Sequence, residues 1–399
     1  MRFLFLLLFF FLISLSNPTL ACLNDRDTLG EEARGLPDLM KVITGRFERN
    51  PPLYYEMRIT RVTQELEQHP ERLSDYNDIA VAYDRVGRDD DAIEWLGLKR
   101  QYLDRLPRTD PGFDEEWYTY WANIGTCRVH RWIRAGADQT KIGEVVRSRN
   151  EILEALKIKP DAHFGREKYQ VRVMEWIIDP EDPGASGMSA LGWKIMEGGG
   201  KRTDMIRGLS GLIVLGNAWE SPDIFIALAD LNGMGHKTKH LEYLCRLRAR
   251  ELESKGHHSL VPSGNARSAN AVSRSWSEDS AIDEKEYRTL RREADTWQAR
   301  RTAFMMERLK AGRHPDTDPE FWAGYVETAP PEIPIPWERR IELWGRPMFG
   351  FGWFPRNIFA LLLIAPFIAY LGYLVRRDWR ARKLRQATAN FRNGRDIRD

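Results

Sequence analysis

The chain has 399 residues, of which 42% are hydrophobic and 11% are aromatic. This supply of apolar side chains suits roughly two or three folded domains and excludes a wholly disordered protein. Charged residues make up 30% of the chain and only two segments are strongly apolar, which excludes a multi-span transporter. Three cysteines are too few for a disulfide framework.

The first 21 residues have the pattern of a secretory signal peptide. One positive charge precedes an apolar run, Phe3–Leu15, and the small residue Ala21 follows it. A helix of that length reaches about 20 Å, which is short of the roughly 30 Å hydrocarbon core of a bilayer. We therefore expect cleavage after Ala21. Cys22 then leaves lipidation open, although Thr19 stands where lipoprotein signals usually carry an aliphatic residue.

The segment Leu73–Leu106 carries the most specific pattern in the chain. Aromatic, apolar and small residues alternate at helical spacing on both sides of a glycine, at Tyr76, Ile79, Ala80, Tyr83, Gly87, Ala92 and Leu96. This pattern resembles the tetratricopeptide repeat, a pair of helices 34 residues long. Gly87 is predicted to form the turn, and Asp89 to cap the second helix. Lys99 departs from the pattern, because a small residue is usual there.

Neighbouring segments resemble degenerate copies of the same repeat. The predicted helical segments are Leu53–Gln68, a helix within Glu115–Ala135, the repeat end Asn150–Asp161, and the hairpin of Pro222–Asn232 with Lys237–Lys255. The fold class predicted from them is all-α, a solenoid of helical hairpins. The segment Asp179–Gly200, which lies between the last two of these, is rich in glycine and proline and is predicted to be a loop.

The resemblance implies a concave surface built from the first helix of each pair, and a protein or peptide partner bound there. Ser74, Asn77, Val81 and Asp84 occupy groove positions 2, 5, 9 and 12 of the best repeat. These four are the candidate partner-binding residues. They do not reproduce the basic clamp by which some family members bind carboxylate termini, so an acidic peptide terminus is not implied.

A long helix with a heptad-like apolar stripe is predicted over residues 283–312, after a linker at 261–282. The stripe could dimerise or fold back on the repeats, and Arg301 within it favours folding back. A proline-rich spacer, Ala329–Pro336, follows.

The second apolar segment, Asn357–Val375, has the length of one membrane crossing. The tail after it, Arg376–Asp399, holds nine Lys/Arg and three Asp/Glu, a net charge of +6. Such a tail favours membrane headgroups over nucleic acid as its partner. By the positive-inside rule the C-terminus is cytoplasmic and the residues before the span are not. We therefore expect a single-pass type I membrane protein.

No motif predicts a catalytic residue, a cofactor or a metal site. His236 and His240 are four residues apart but lack the other ligands of a zinc motif, and Gly198–Gly200 lacks the spacing of a phosphate loop. Cys127 and Cys245 lie on predicted helices and are expected to be unpaired, buried thiols.

The function predicted from these patterns is a non-enzymatic, membrane-anchored scaffold that binds another protein. Two alternatives stay open: an exported enzyme with a site within residues 164–261, and a structural tether of the cell envelope. The oligomeric state is also left open. The predicted segments are 1–21 signal peptide, 37–178 repeats, 179–260 further helices, 261–282 linker, 283–312 long helix, 313–356 spacer, 357–375 transmembrane helix and 376–399 basic tail.

Overall fold

The computed structural model describes residues 23–180, 188–235, 238–261 and 280–331. Within these ranges the chain forms thirteen α-helices joined by turns and short 3-10 segments. The helices are α1 Arg26–Arg34, α2 Leu39–Thr44, α3 Pro52–Gln68, α4 Leu73–Arg85, α5 Asp89–Leu103, α6 Phe113–Arg134, α7 Gly143–Ile158, α8 Arg166–Ile178, α9 Ala190–Glu197, α10 Arg202–Val214, α11 Pro222–Gly233, α12 Lys239–Ser254 and α13 Ser280–Lys310. The fold is all-α, as predicted.

Helices that are neighbours in sequence pack as pairs, most extensively α4 with α5, α6 with α7, and α11 with α12. The predicted hairpin over Leu73–Leu106 is present as α4 and α5, and Gly87 turns between them at a φ of +77°. Ala80 and Ala92 are fully buried at this pair. In the next pair, a Cβ on Gly125 would lie 2.8 Å from the carbonyl oxygen of Ser148, so only glycine lets α6 approach α7 this closely.

The apolar interior has two large clusters. One joins Leu23 to side chains of α3, α4, α5 and α6. The other joins α2 and Phe47 to α6 and α7 and to the helices from α8 to α12. Because α6 contributes side chains to both clusters, this helix connects the two parts of the apolar interior.

The long helix α13 folds back on the stacked helix pairs and packs against α2, α3 and α12. Its buried stripe includes Tyr287, Ala294, Trp297, Met305 and Leu309. Met305 and Leu309 form a third cluster with Tyr54 of α3 and with Phe321 beyond the helix. Of the two arrangements predicted for this helix, the structure has the intramolecular one.

Two local predictions are wrong. The predicted loop Asp179–Gly200 contains helix α9, because Ser189 caps its first turn and Leu191 and Ile195 are buried apolar side chains. Asp89 is the first residue of α5 and its side chain does not cap that helix. It instead pairs with Arg134 of α6.

Cys127 and Cys245 are unpaired and buried, as predicted. None of the helices in the described ranges has the length and apolar character needed to cross a bilayer. The predicted signal peptide, Cys22, the membrane segment Asn357–Val375 and the basic tail lie outside the described residues.

Candidate functional site

The four predicted groove residues lie on one helix, α4, but differ in exposure. Ser74 is exposed near the helix start. Asn77 is only 6% exposed, and Val81 and Asp84 are fully buried. The structure thus places all four on the expected helix and covers three of them with other parts of the same chain.

Asn77 belongs to a buried polar cluster centred on Lys99. The Lys99 ammonium donates to Asn77 Oδ1 at 2.9 Å and to Thr119 Oγ1 at 3.1 Å, and it pairs with Glu116 at 2.7 Å. Burial lowers the pKa of Lys99, while the Glu116 carboxylate opposes this shift. Lys99 therefore joins α5 to α6 through polar contacts, which explains why a large residue stands where the repeat pattern has a small one.

Asp84 forms a second buried cluster with α6. Its Oδ1 lies 2.6 Å from His130 Nδ1 and accepts a hydrogen bond from Arg134 at 3.1 Å. Although burial opposes the shift, His130 and Arg134 lower the pKa of Asp84 below its usual range. Asp84 is thus an ionised partner of its neighbouring helix.

The N-terminal part of the chain covers only part of the predicted groove: Leu23 shares an apolar cluster with Val81, whereas Asp84 is covered by His130 and Arg134 of α6. Leu23 and Asn24 are buried, and their contacts reach α4, α6 and α8. Asn123 of α6 accepts from the Asn24 main-chain N–H at 2.7 Å and donates to the Asn24 carbonyl at 2.9 Å. Arg166 of α8 donates to the Leu23 carbonyl at 3.2 Å. We call residues 23–34 the N-terminal segment, and we call its binding site on α3, α4, α6 and α8 the groove.

Charged residues fix the rest of the N-terminal segment. Arg26 donates through Nε to Asp78 of α4 at 2.7 Å, and its main-chain N–H donates to the same carboxylate at 3.0 Å. Asp27 accepts from both terminal nitrogens of Arg58 at 2.9 Å. Arg58 is fully buried and also contacts Asp316, at 2.6 Å. One guanidinium on α3 therefore holds both the N-terminal segment and the residues after α13.

A polar cavity of about 220 Å³ lies beside the N-terminal segment. Its wall includes the carboxylates of Asp25, Glu31 and Glu48 and the guanidinium of Arg85. Burial and the neighbouring Glu48 raise the pKa of Glu31 to about 8. Burial and Asp27 raise the pKa of Asp25 to about 6. Of these two groups, Glu31 therefore keeps its proton near neutral pH, whereas Asp25 is mostly ionised there.

A larger and more open pocket, of about 590 Å³, adjoins this cavity. The two share Glu31, Phe47, Glu48 and Val214 as lining residues. Its wall also carries residues that the chain places after α13, from Glu327 to Pro330. The outer pocket and the polar cavity are therefore neighbours, and residues of the N-terminal segment line both of them.

Sequence reasoning missed most of this site. Asn24 contacts a residue 99 positions away, and Arg58 contacts one 258 positions away. No local pattern specifies such pairs. The one available signal is Asp25 followed by Thr28, which form a capping box at the start of α1. The described residues include no cluster of metal-ligating side chains, and His236 lies outside them.

Comparison with known proteins returned no similarity: no family model, curated protein or solved structure matches this chain.

Proposed function

We propose that this chain is a non-enzymatic scaffold held at a membrane by Asn357–Val375, with its helix pairs outside the cytoplasm. In this proposal the basic tail contacts lipid headgroups on the cytoplasmic side, and the helix pairs bind a protein or peptide partner in the groove. The apolar segments at the two ends of the sequence support the membrane part of the proposal.

One observation carries the binding part: the groove already holds a peptide segment through its main chain. Asn123 pairs with both the N–H and the carbonyl of Asn24, and these contacts do not depend on the side chain of the residue that is bound. Asp25 has an extended backbone, with φ −139° and ψ −178°. A groove that pairs with extended main chain has the chemistry required to bind a peptide.

The test is site-specific photo-crosslinking in native membranes, with the full chain. A photoreactive side chain replaces Ser74, which is exposed at the predicted groove position. The matched control carries the same side chain at Glu94, which is exposed on the second helix of the same pair. We expect a discrete protein adduct from Ser74 and none from Glu94. Equal adducts from both positions, or no adduct from Ser74, would contradict the proposal.

A further inference from the structure

We propose that the N-terminal segment is a resident ligand that a partner peptide displaces, and that this peptide carries the same order of side chains. From Leu23 to Asp27 that order is an aliphatic side chain, an amide, an acid, a base and a second acid. The inference rests on the proposed function, since it names the partner of the same groove.

The first position requires an aliphatic side chain. Leu23 is fully buried and belongs to the same apolar cluster as Ile79 and Val81 of α4 and Ile124 of α6. A charged side chain placed there would lose its hydration without gaining a partner. The groove therefore selects an apolar residue at this position.

The second position is bound through its main chain and through its amide. Besides the two main-chain bonds from Asn123, the Asn24 Oδ1 accepts from Arg166 at 3.3 Å. Arg166 is itself fully buried. A buried guanidinium needs acceptors, and the N-terminal segment supplies three of them: the Leu23 carbonyl, Asn24 Oδ1 and the Glu32 carboxylate, beside Glu167 of α8 itself.

The next three positions are selected by charge. Arg58 faces Asp25 at 3.5 Å and Asp27 at 2.9 Å, and Asp78 faces Arg26. In the groove, Arg58 therefore faces the two acids of an acid–base–acid sequence, and Asp78 faces the base between them. A peptide with the opposite charges would place like charges next to Arg58 and Asp78.

The way in which the segment is attached allows exchange. Arg34 at the end of α1 and Gly35 and Asp38 in the turn after it are exposed, and Leu29 on α1 is 49% exposed. An empty groove would remove two of the three carboxylates around Arg58 and the guanidinium that pairs with Asp78, which is unfavourable for buried charges. Competition between two similar ligands avoids that state, because the groove stays occupied throughout.

The test uses the full chain with a recognition sequence for a specific protease inserted between Gly35 and Leu36. Cleavage turns the N-terminal segment into a noncovalent ligand. The probe is a synthetic peptide of residues 23–34, labelled at its Arg34 end and followed by fluorescence anisotropy. We expect the probe to exchange into the cleaved chain and to bind the uncleaved chain at least 10-fold more weakly, because the tethered segment competes.

Two control peptides carry Leu23→Asp or Arg26→Glu, and each is expected to bind at least 10-fold more weakly than the probe. A control chain is cleaved instead in the exposed turn at residues 108–111, which reports the effect of cleavage itself. The inference is overturned if the segment fails to exchange, if its loss unfolds the cleaved chain while the control chain stays helical, or if the control peptides bind equally well.

These outcomes separate the inference from the proposed function. Exchange of the probe without any partner adduct from Ser74 would leave the displaceable ligand established and the scaffold role unsupported. A partner adduct from Ser74 in a chain whose N-terminal segment never exchanges would support the scaffold and overturn the displacement.

Discussion

Arg58 is fully buried and keeps its charge because three carboxylates surround it. Asp25, Asp27 and Asp316 all lie within 3.5 Å of its terminal nitrogens. Burial alone would lower the pKa of Arg58, but the hydrogen bonds that Arg58 donates to Asp316 and the charge of Asp27 outweigh this effect and raise it. At the scale of single residues, this guanidinium is the group on which the N-terminal segment depends most.

Replacing Arg58 with methionine should therefore destabilise the protein strongly. The change keeps a long apolar stem but leaves buried carboxylates without their partner, and breaking a buried ion pair costs about 3–5 kcal/mol. Urea unfolding followed by circular dichroism measures this change in the free energy of unfolding. The matched control, Arg88→Met, removes an exposed guanidinium that pairs with Asp91 and should change stability little. Equal effects of the two substitutions would contradict this account.

The polar cavity should make stability depend on pH through Glu31. Its pKa rises from 4.5 to about 8 on folding, so between these values the folded chain holds a proton that the unfolded chain has lost. Stability should therefore fall as pH rises, by up to about 1.4 kcal/mol per pH unit for one such group. The charges of Glu48 and Asp27 raise the pKa of Glu31 further, and those of Arg85 and Arg34 oppose the shift.

The comparison variant is Glu31→Gln, which is neutral at every pH. Unfolding midpoints measured from about pH 5 to about pH 8 should decline more steeply in the natural chain than in the variant. Other groups, such as Asp25, are common to both proteins and cancel in the difference. Parallel midpoint curves would show that Glu31 titrates normally in the folded chain.

At the scale of helices, the sequence predicted those elements that depend on contacts between residues close together in the chain. The hairpin of α4 and α5 and helix α3 were predictable because apolar residues recur at helical spacing and Gly87 marks a turn. Helix α9 was not, because the Gly- and Pro-rich residues around it hid a short apolar stretch. The groove positions were assigned to the correct helix, but the segment that fills the groove depends on contacts about a hundred residues apart.

Two glycines inside helices differ in the space around them, so alanine substitutions at these positions should have opposite effects on stability. Gly97 on α5 has open space around its missing Cβ. Gly97→Ala should therefore stabilise the protein by about 0.5–1 kcal/mol, because alanine favours a helix more than glycine does. The measurement is the free energy of unfolding in urea.

Gly208 on α10 should respond in the opposite direction. A Cβ there would lie 2.0 Å from the ring of Tyr169 on α8. Gly208→Ala should therefore cost about 1–3 kcal/mol, because the ring must move and the two helices must separate. A gain in stability at Gly208, measured as for Gly97, would mean that α8 and α10 are not in close contact.

At the scale of the molecule, residues from both ends of the described chain meet. Asp27 and Asp316 share Arg58, and Arg46 donates to the carbonyl of Thr328. Phe321 is fully buried against Tyr54 and Met305. Residues 311–331 are therefore part of the folded body, and the compact unit ends at Pro331. This boundary fixes where the chain can be cut without loss of the fold.

A chain that stops after Pro331 should keep its fold and leave the membrane. It retains Asp316 and Phe321 but lacks the predicted membrane segment, so we expect it in the soluble fraction outside the cytoplasm. Its thermal midpoint should match that of the full chain to within about 2 °C, since 1 kcal/mol shifts the midpoint by about 2–4 °C in domains of this order of size. The control stops after Lys310, loses Asp316 and Phe321, and should unfold at a clearly lower temperature. Recovery of the longer truncation in the membrane fraction would contradict the proposed anchor, and equal midpoints for the two truncations would contradict the role of residues 311–331 in the fold.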